Sequence, residues 1–185
     1  MFKPQMMFQK ILFTSLLFFS GAVFIYSLGL MTDLYGLYQV KAIGSVAGAN
    51  LFYDMQPYNK LLVDFAIVCI LASVVPFVFG SNSRRKYYIG NYVATGIQAC
   101  TYVVTSIFIL INTIKYRSQF VNGVDFVAYK ELAEKMKFSY SESTFFFDAG
   151  FVIAALLLIA AGLVVYNLMW KIKIVKQENK ILEGE

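Results

Sequence analysis

The chain has no histidine, two cysteines, three prolines and one tryptophan, and only 15% of its 185 residues are charged, where a soluble domain carries roughly 25%. Each shortage excludes something. Without histidine there is no Ser-His-Asp triad, no imidazole metal ligand and no imidazole acid or base. Cys69 and Cys100 both lie inside apolar stretches, so they form neither a CxxC redox pair nor a disulfide framework and read as small, buried packing residues. The charge deficit leaves too little polar surface for a soluble domain.

What is present is 59% apolar and 17% aromatic, gathered in long runs. Four stretches, 11–31, 61–80, 88–114 and 145–170, are each long enough to cross a hydrocarbon core of about 30 Å, which takes around 20 helical residues. In lipid every peptide group must be paired within its own segment, so each run is expected to be a helix. The first run follows Lys3 and Lys10, as a secretory leader would. It is too long for a leader's apolar core and lacks an A-x-A-like cleavage site, so it is expected to remain as a helix. The fold class is therefore all-α, an integral membrane four-helix transmembrane bundle. One domain spans 1–170, and 171–185 forms a helical tail.

Basic residues set the expected orientation. Lys3, Lys10, Arg84, Arg85, Lys86, Lys171, Lys173, Lys176 and Lys180 share one side, nine against seven on the other, and the clusters at 84–86 and 171–176 abut helix ends. Both termini are placed in the cytoplasm and the plasma membrane is the default location. The net charge of +5 then serves topology and contact with the lipid bilayer, and no nucleic-acid surface is indicated.

The second and third spans are joined by the short 81–87 connection, which forces an antiparallel hairpin. The outer connections, about 32–60 and 115–144, are long enough to hold structure. The first carries Gly36, Gly44 and Gly48 among aromatics. In the second, Phe126, Tyr129, Ala133 and Met136 recur at three- and four-residue steps, which predicts a short amphipathic helix lying on the outer surface or covering the bundle. The plan resembles the tetraspan plan of claudin-like and MARVEL proteins in hydropathy profile alone. The tryptophan motif and paired loop cysteines of the claudin-like pattern have no counterpart around Leu34-Tyr35-Gly36-Leu37-Tyr38.

The third span carries a polar stripe, Asn91, Thr95, Gln98, Thr101, Tyr102, Thr105 and Asn112, on one broad face of a helix. An uncompensated amide in hydrocarbon costs several kcal/mol, so the stripe must look inward. It serves either as interhelical hydrogen bonding, worth about 0.6 kcal/mol per contact, or as a hydrated path or lipid-headgroup cavity. Asp33, Asp64 and Asp148 sit near the outer boundary. Asp64 and Asp148 are expected in the first turns of their helices, where a carboxylate meets the positive end of the dipole. The alternative is an ion pair with Lys60, Lys115 or Arg117. No metal-ligand spacing and no nucleophile with a base is visible, so no cofactor, metal site or enzymatic activity is expected.

Gly150 with Ala154, and Gly96 with Cys100, place small residues at the four-residue spacing of close helix contacts, and Pro76 predicts a kink in the second helix. In the tail, Ile172, Val175, Asn179 and Leu182 take a and d positions and continue the fourth helix into the cytoplasm. A parallel homodimer would set Lys171 against Lys176 and Glu178 against Glu183, so an antiparallel or heteromeric partner is favoured over a parallel copy. The leading functional expectation is a non-catalytic accessory or structural subunit of a larger membrane complex, such as a transporter. The rivals are a small oligomeric transporter or channel using the polar face of the third helix, and a membrane enzyme or lipid-handling protein using Asp64 and Asp148.

Overall fold

The computed structural model describes residues 2–33, 35–38, 46–80, 89–182 and 184. Five helices occur among them, α1 Phe2–Met31, α2 Leu51–Gly80, α3 Ile89–Gly123, α4 Phe126–Met136 and α5 Phe145–Leu182. Four of these are long and apolar enough to cross a membrane. The 81–87 connection with Arg84, Arg85 and Lys86, the loop residues Leu34, Lys41 and Gly44, Glu183, and the Leu182 side chain lie outside the described residues.

Each long helix outruns its apolar stretch. Residues 2–10, 51–60, 115–123 and 171–182 are helical as well, so the first outer connection is much shorter than hydropathy implied. The reason is that a helix need not stop where hydrocarbon ends, since its own hydrogen bonds serve equally well among headgroups and water. At 38 residues, α5 spans about 57 Å, against about 40 to 45 Å for a bilayer with its headgroups. Pro57 and Pro76 both lie inside α2, where each removes one backbone donor.

The long helices pack in ring order α1, α2, α3, α5, the most extensive contact being α3 with α5 and the sparsest α1 with α5. Tie points between neighbours show that they run antiparallel. Gln5 meets Asn167 and Tyr26 meets Phe146; Ser20 meets Ser73 and Leu30 meets Asn59; Ser106 donates to the Ala154 carbonyl at 2.7 Å and Arg117 meets Asp148. Hence α1 and α3 begin, and α2 and α5 finish, at one end of the bundle, here the terminal end. The long connections lie at the other, the loop end.

Every helix buries a seam at steps of three and four. On α1 the buried series is Gln5, Gln9, Leu12, Leu16, Ser20, Val23, Ser27 and Leu30, and on α5 it is Gly150, Ala154, Leu157, Ala161, Val164, Asn167, Lys171 and Ile174. Such a repeat keeps one stripe facing the neighbours along the whole length, as in coiled-coil packing. The outward faces carry Phe18, Ile25, Leu71, Ile97, Ile111 and Ile159, all exposed, because their solvent is hydrocarbon. Gly150 allows the closest approach: a Cβ there would stand 2.6 Å from the Tyr26 hydroxyl and 2.9 Å from Thr113 Oγ1. Gly96 and Cys100 behave differently. A Cβ on Gly96 meets nothing within 4 Å and Cys100 is exposed, which corrects the expectation that both cysteines are buried.

At the loop end the two connections close over each other. Tyr35 stacks on Phe147, with centroids 5.5 Å and planes 12° apart, and packs on Phe120 at 4.7 Å. Its carbonyl accepts from the Tyr129 hydroxyl and from Ser141 N, while Ala47 O accepts from Asp125 N. Helix α4 starts on Asp125, whose carboxylate accepts from Val127 N and Ala128 N, and buries Tyr129 and Ala133. Phe126 is half-buried and Met136 exposed.

Candidate functional site

Polar side chains concentrate at three levels of the bundle. The first, at the terminal end, gathers amides from α1 and α5. Gln5 Nε2 donates to Gln9 Oε1 at 3.1 Å and to Asn167 Oδ1 at 2.9 Å, all three side chains being buried. Asn91 and Thr95 of α3 are buried as well, and Thr95 donates to the Asn91 carbonyl at 2.7 Å. One turn beyond Asn167 lies Lys171, only 6% exposed, with its ammonium 5.6 Å from the centre of the Tyr92 ring. Phe8, Tyr166 and Trp170 pack edge to face or tilted beside it, the kind of aromatic cluster that sits at headgroup depth.

The second level joins three helices through hydroxyls. Ser20 of α1, Ser73 of α2 and Tyr102 of α3 form a triangle with sides of 2.8, 2.7 and 3.0 Å. Ser20 also reaches the Leu16 carbonyl at 2.9 Å and Ser73 the Cys69 carbonyl at 2.6 Å. Each hydroxyl has one proton. With both serines donating to their carbonyls, only the Tyr102 proton remains for the triangle, which therefore has more close contacts than donors. Gln98 Nε2 adds a donor to Tyr102 at 3.3 Å. Gln98 Oε1, fully buried, has no partner among the described residues. Exchanging the ends of that amide would move the unpaired group without removing it. Thr105 touches Cys69 Sγ at 3.4 Å.

The third level underlies the cap. Asp148, in the first turn of α5 as expected, accepts from Arg117 Nε at 3.0 Å and from Thr144 at 2.7 Å, which combines both roles anticipated for it. Asp33 accepts from Leu37 N and Tyr38 N through its two oxygens. Burial outweighs these donors and raises its carboxyl above the ordinary value. Burial likewise raises the Tyr35 and Tyr129 hydroxyls, reinforced by the negative charges of Asp148 and Asp33 respectively, so both remain neutral. Asn59 donates to the Leu30 carbonyl at 2.7 Å, yet its Oδ1 and the Tyr35 hydroxyl have no partner among the described residues. Both residues line a small cavity of about 10 Å³.

Five residues of the expected stripe, Asn91, Thr95, Gln98, Tyr102 and Thr105, lie on the buried seam of α3. Thr101 and Asn112 are half-buried beside it; Asn112 turns back to the Phe108 carbonyl and Thr101 borders an open apolar groove between α2 and α3. The placement of Asp64 is corrected. Because α2 begins at Leu51, Asp64 lies about three and a half turns inside it, exposed and without an ion pair among the described residues, and Asp54 takes the first-turn position. In the tail, Ile172 and Val175 are half-buried and Asn179 is exposed, whereas the side chains turned into the bundle are Lys171 and Ile174. The sequence reading missed Gln5, Gln9, Asn167 and Lys171. Their signal was the four-residue spacing of the pairs 5/9 and 167/171, which sets polar groups on one face.

No family model, curated protein or solved structure matches the chain. Its four long apolar helices mark it as a membrane protein.

Proposed function

We propose that the chain is a non-catalytic multi-pass membrane protein that serves as an accessory or structural subunit of a larger membrane complex, such as a transporter. The observation that carries this reading is the length of α5, whose unbroken helix continues to Leu182, well past the level at which Lys171 meets the first turn of α3. This overhang presents Ile181 at 73% exposure together with Asn179, Lys176 and Lys180. An exposed apolar residue among lysines suits a helix or groove of complementary charge on another protein. Both termini lie on the cytoplasmic side in this reading.

The rival transport reading draws on the same stripe of α3. Against it stands the direction of that stripe, since Tyr102, Thr105 and Ser106 face their own bundle and spend their hydroxyls on Ser73, Cys69 and the Ala154 carbonyl. A path shared between copies would need those groups on the outer face.

A photoreactive residue placed at Asn179 or Ile181 of the full chain, in native membranes, tests the proposal. The expected product is one discrete adduct with a different membrane protein. Adducts only with a second copy of this chain, or with lipid alone, would contradict it.

A further inference from the structure

Asp64 faces outward at a depth where a carboxylate needs a partner. It stands on α2 in line with Leu61, Val68 and Leu71, all exposed, while the residues that α2 buries at this level are Leu62, Ala66 and Cys69. It makes no ion pair or hydrogen bond among the described residues, Lys60 one turn away included. Headgroups are out of its reach as well. The next residue, Phe65, packs on Phe108 with ring centroids 4.8 Å apart, and Phe108 lies about 10 Å along α3 from Lys115, the first charge beyond that apolar run. An aspartate side chain is too short to span such a distance, unlike the long stem of a lysine. Ionisable residues inside a membrane turn into the bundle or meet an opposite charge, and Asp64 does neither within its own chain.

The surface next to it is a groove. It runs open between α2 and α3 with a volume of about 460 Å³, and its walls include Phe65 and Val68 on α2 and Ile97 and Val104 on α3. Val68 lies one turn from Asp64 on the same face of α2, so the carboxylate stands at the loop end of the groove. Gly96 also lines it, with no atom within 4 Å of where a Cβ would be, which leaves room for a backbone to come close. Thr101 borders the same groove, and its hydroxyl makes no hydrogen bond among the described residues. From these observations we infer that the groove seats a transmembrane helix of another protein, which sets a lysine or arginine against Asp64 and a polar group against Thr101. The inference rests on the subunit reading and names a face through which the subunit docks within the membrane, by the helix-in-groove mode. Acyl chains fill such a groove but satisfy neither polar group. A second copy of this chain is no better suited, because 11–31, 61–80, 88–114 and 145–170 contain no lysine or arginine, and its Lys60 and Lys115 lie outside those runs.

The test places a photoreactive residue at Ile97 of the full chain in native membranes, in parallel with the one at Ile181, and identifies the cross-linked peptide. The expected adduct at Ile97 is with a transmembrane segment of another protein that carries a lysine or arginine inside its apolar run. Asp64→Asn is expected to lower its yield about fivefold, within the range of polar contacts between membrane helices, and Gly96→Leu, which fills the groove, to lower it at least as far. Ile159→Leu, on the outward face of α5, leaves it unchanged. Asp64→Lys abolishes the adduct, and changing the partner's basic residue to aspartate restores it. Asp64 and Gly96 both face outward, so the thermal midpoint of the chain in detergent should stay where it is in these variants, which separates lost docking from lost folding. An Ile97 adduct with lipid alone or with a second copy, a captured segment without a basic residue, or a yield indifferent to Asp64→Asn would overturn the inference. Any of these while Ile181 still captures another protein would sink the groove and leave the subunit reading standing, whereas capture of no other protein at either position would overturn both.

Discussion

Gly36 holds its backbone so close to Ser139 that a Cβ on it would stand 2.6 Å from the Ser139 carbonyl oxygen. With φ at +71°, the position also disfavours any side chain, at about 1 to 2 kcal/mol. Here the first long connection meets the second, directly beneath the bond from Ser141 N to Tyr35 O. Gly36→Ala is therefore expected to loosen the cap without unfolding the bundle. Hydrogen exchange would show faster amides across 138–144 and unchanged protection in α3. Unchanged exchange in both would mean that the cap is not locked at this contact.

Gly150 and Gly96 look alike in sequence, each paired with a small residue four positions on, and the structure separates them. Gly150→Ala must displace the Tyr26 hydroxyl, which donates to the Phe146 carbonyl, and Thr113. A loss of about 1 to 3 kcal/mol is expected. Gly96→Ala enters open space and should be neutral or stabilising by up to about 1 kcal/mol. Reversible unfolding in mixed micelles checks the pair, and equal losses would place Gly96 in an interface.

Removing the Tyr102 hydroxyl takes the shared partner from Ser20, Ser73 and Gln98. Tyr102→Phe should cost about 1 kcal/mol, within the range for hydrogen bonds inside membrane bundles. Ser73→Ala in the Tyr102→Phe background should cost less than in the parent. Additive losses in this double-mutant cycle would show that the triangle is not an energetic unit.

This hydroxyl cluster also shows what could be read in advance. In lipid the outward face is as apolar as the core, so burial leaves no hydrophobic contrast for the eye. On α1 the buried Leu12, Leu16 and Val23 are chemically no different from the exposed Ile11, Phe18 and Ile25. The seam of α3 was legible because Asn91, Thr95, Gln98 and Tyr102 are polar and must turn away from hydrocarbon. Helix ends were illegible for the converse reason. Asp54, Gln56, Asn59 and Lys60 lowered the hydropathy of 51–60 and suggested a loop, though a helix carries polar residues freely among headgroups. Lys171 was counted as a topology signal, and nothing in composition marks it as turned into the bundle.

Asp33 makes the cap sensitive to pH. Its carboxyl is raised in the fold by burial, so its folded value exceeds the unfolded one near the ordinary 3.9, about the figure for free aspartate. Its stabilising contribution is complete below that unfolded value and is lost as pH rises through the raised folded one. Protection of the Leu37 and Tyr38 amides, corrected for intrinsic exchange, should fall as pH rises above the ordinary aspartate value. The fall should be absent in Asp33→Asn. The opposite trend in the parent would show that the two amide donors outweigh burial.

The central claim, that this bundle is a subunit of something larger, is tested most directly by extracting it gently from native membranes, weighing the intact complex and identifying every chain in it. A stoichiometric second membrane protein is the predicted result. A homo-oligomer, or a lone chain retaining only lipid, would contradict it.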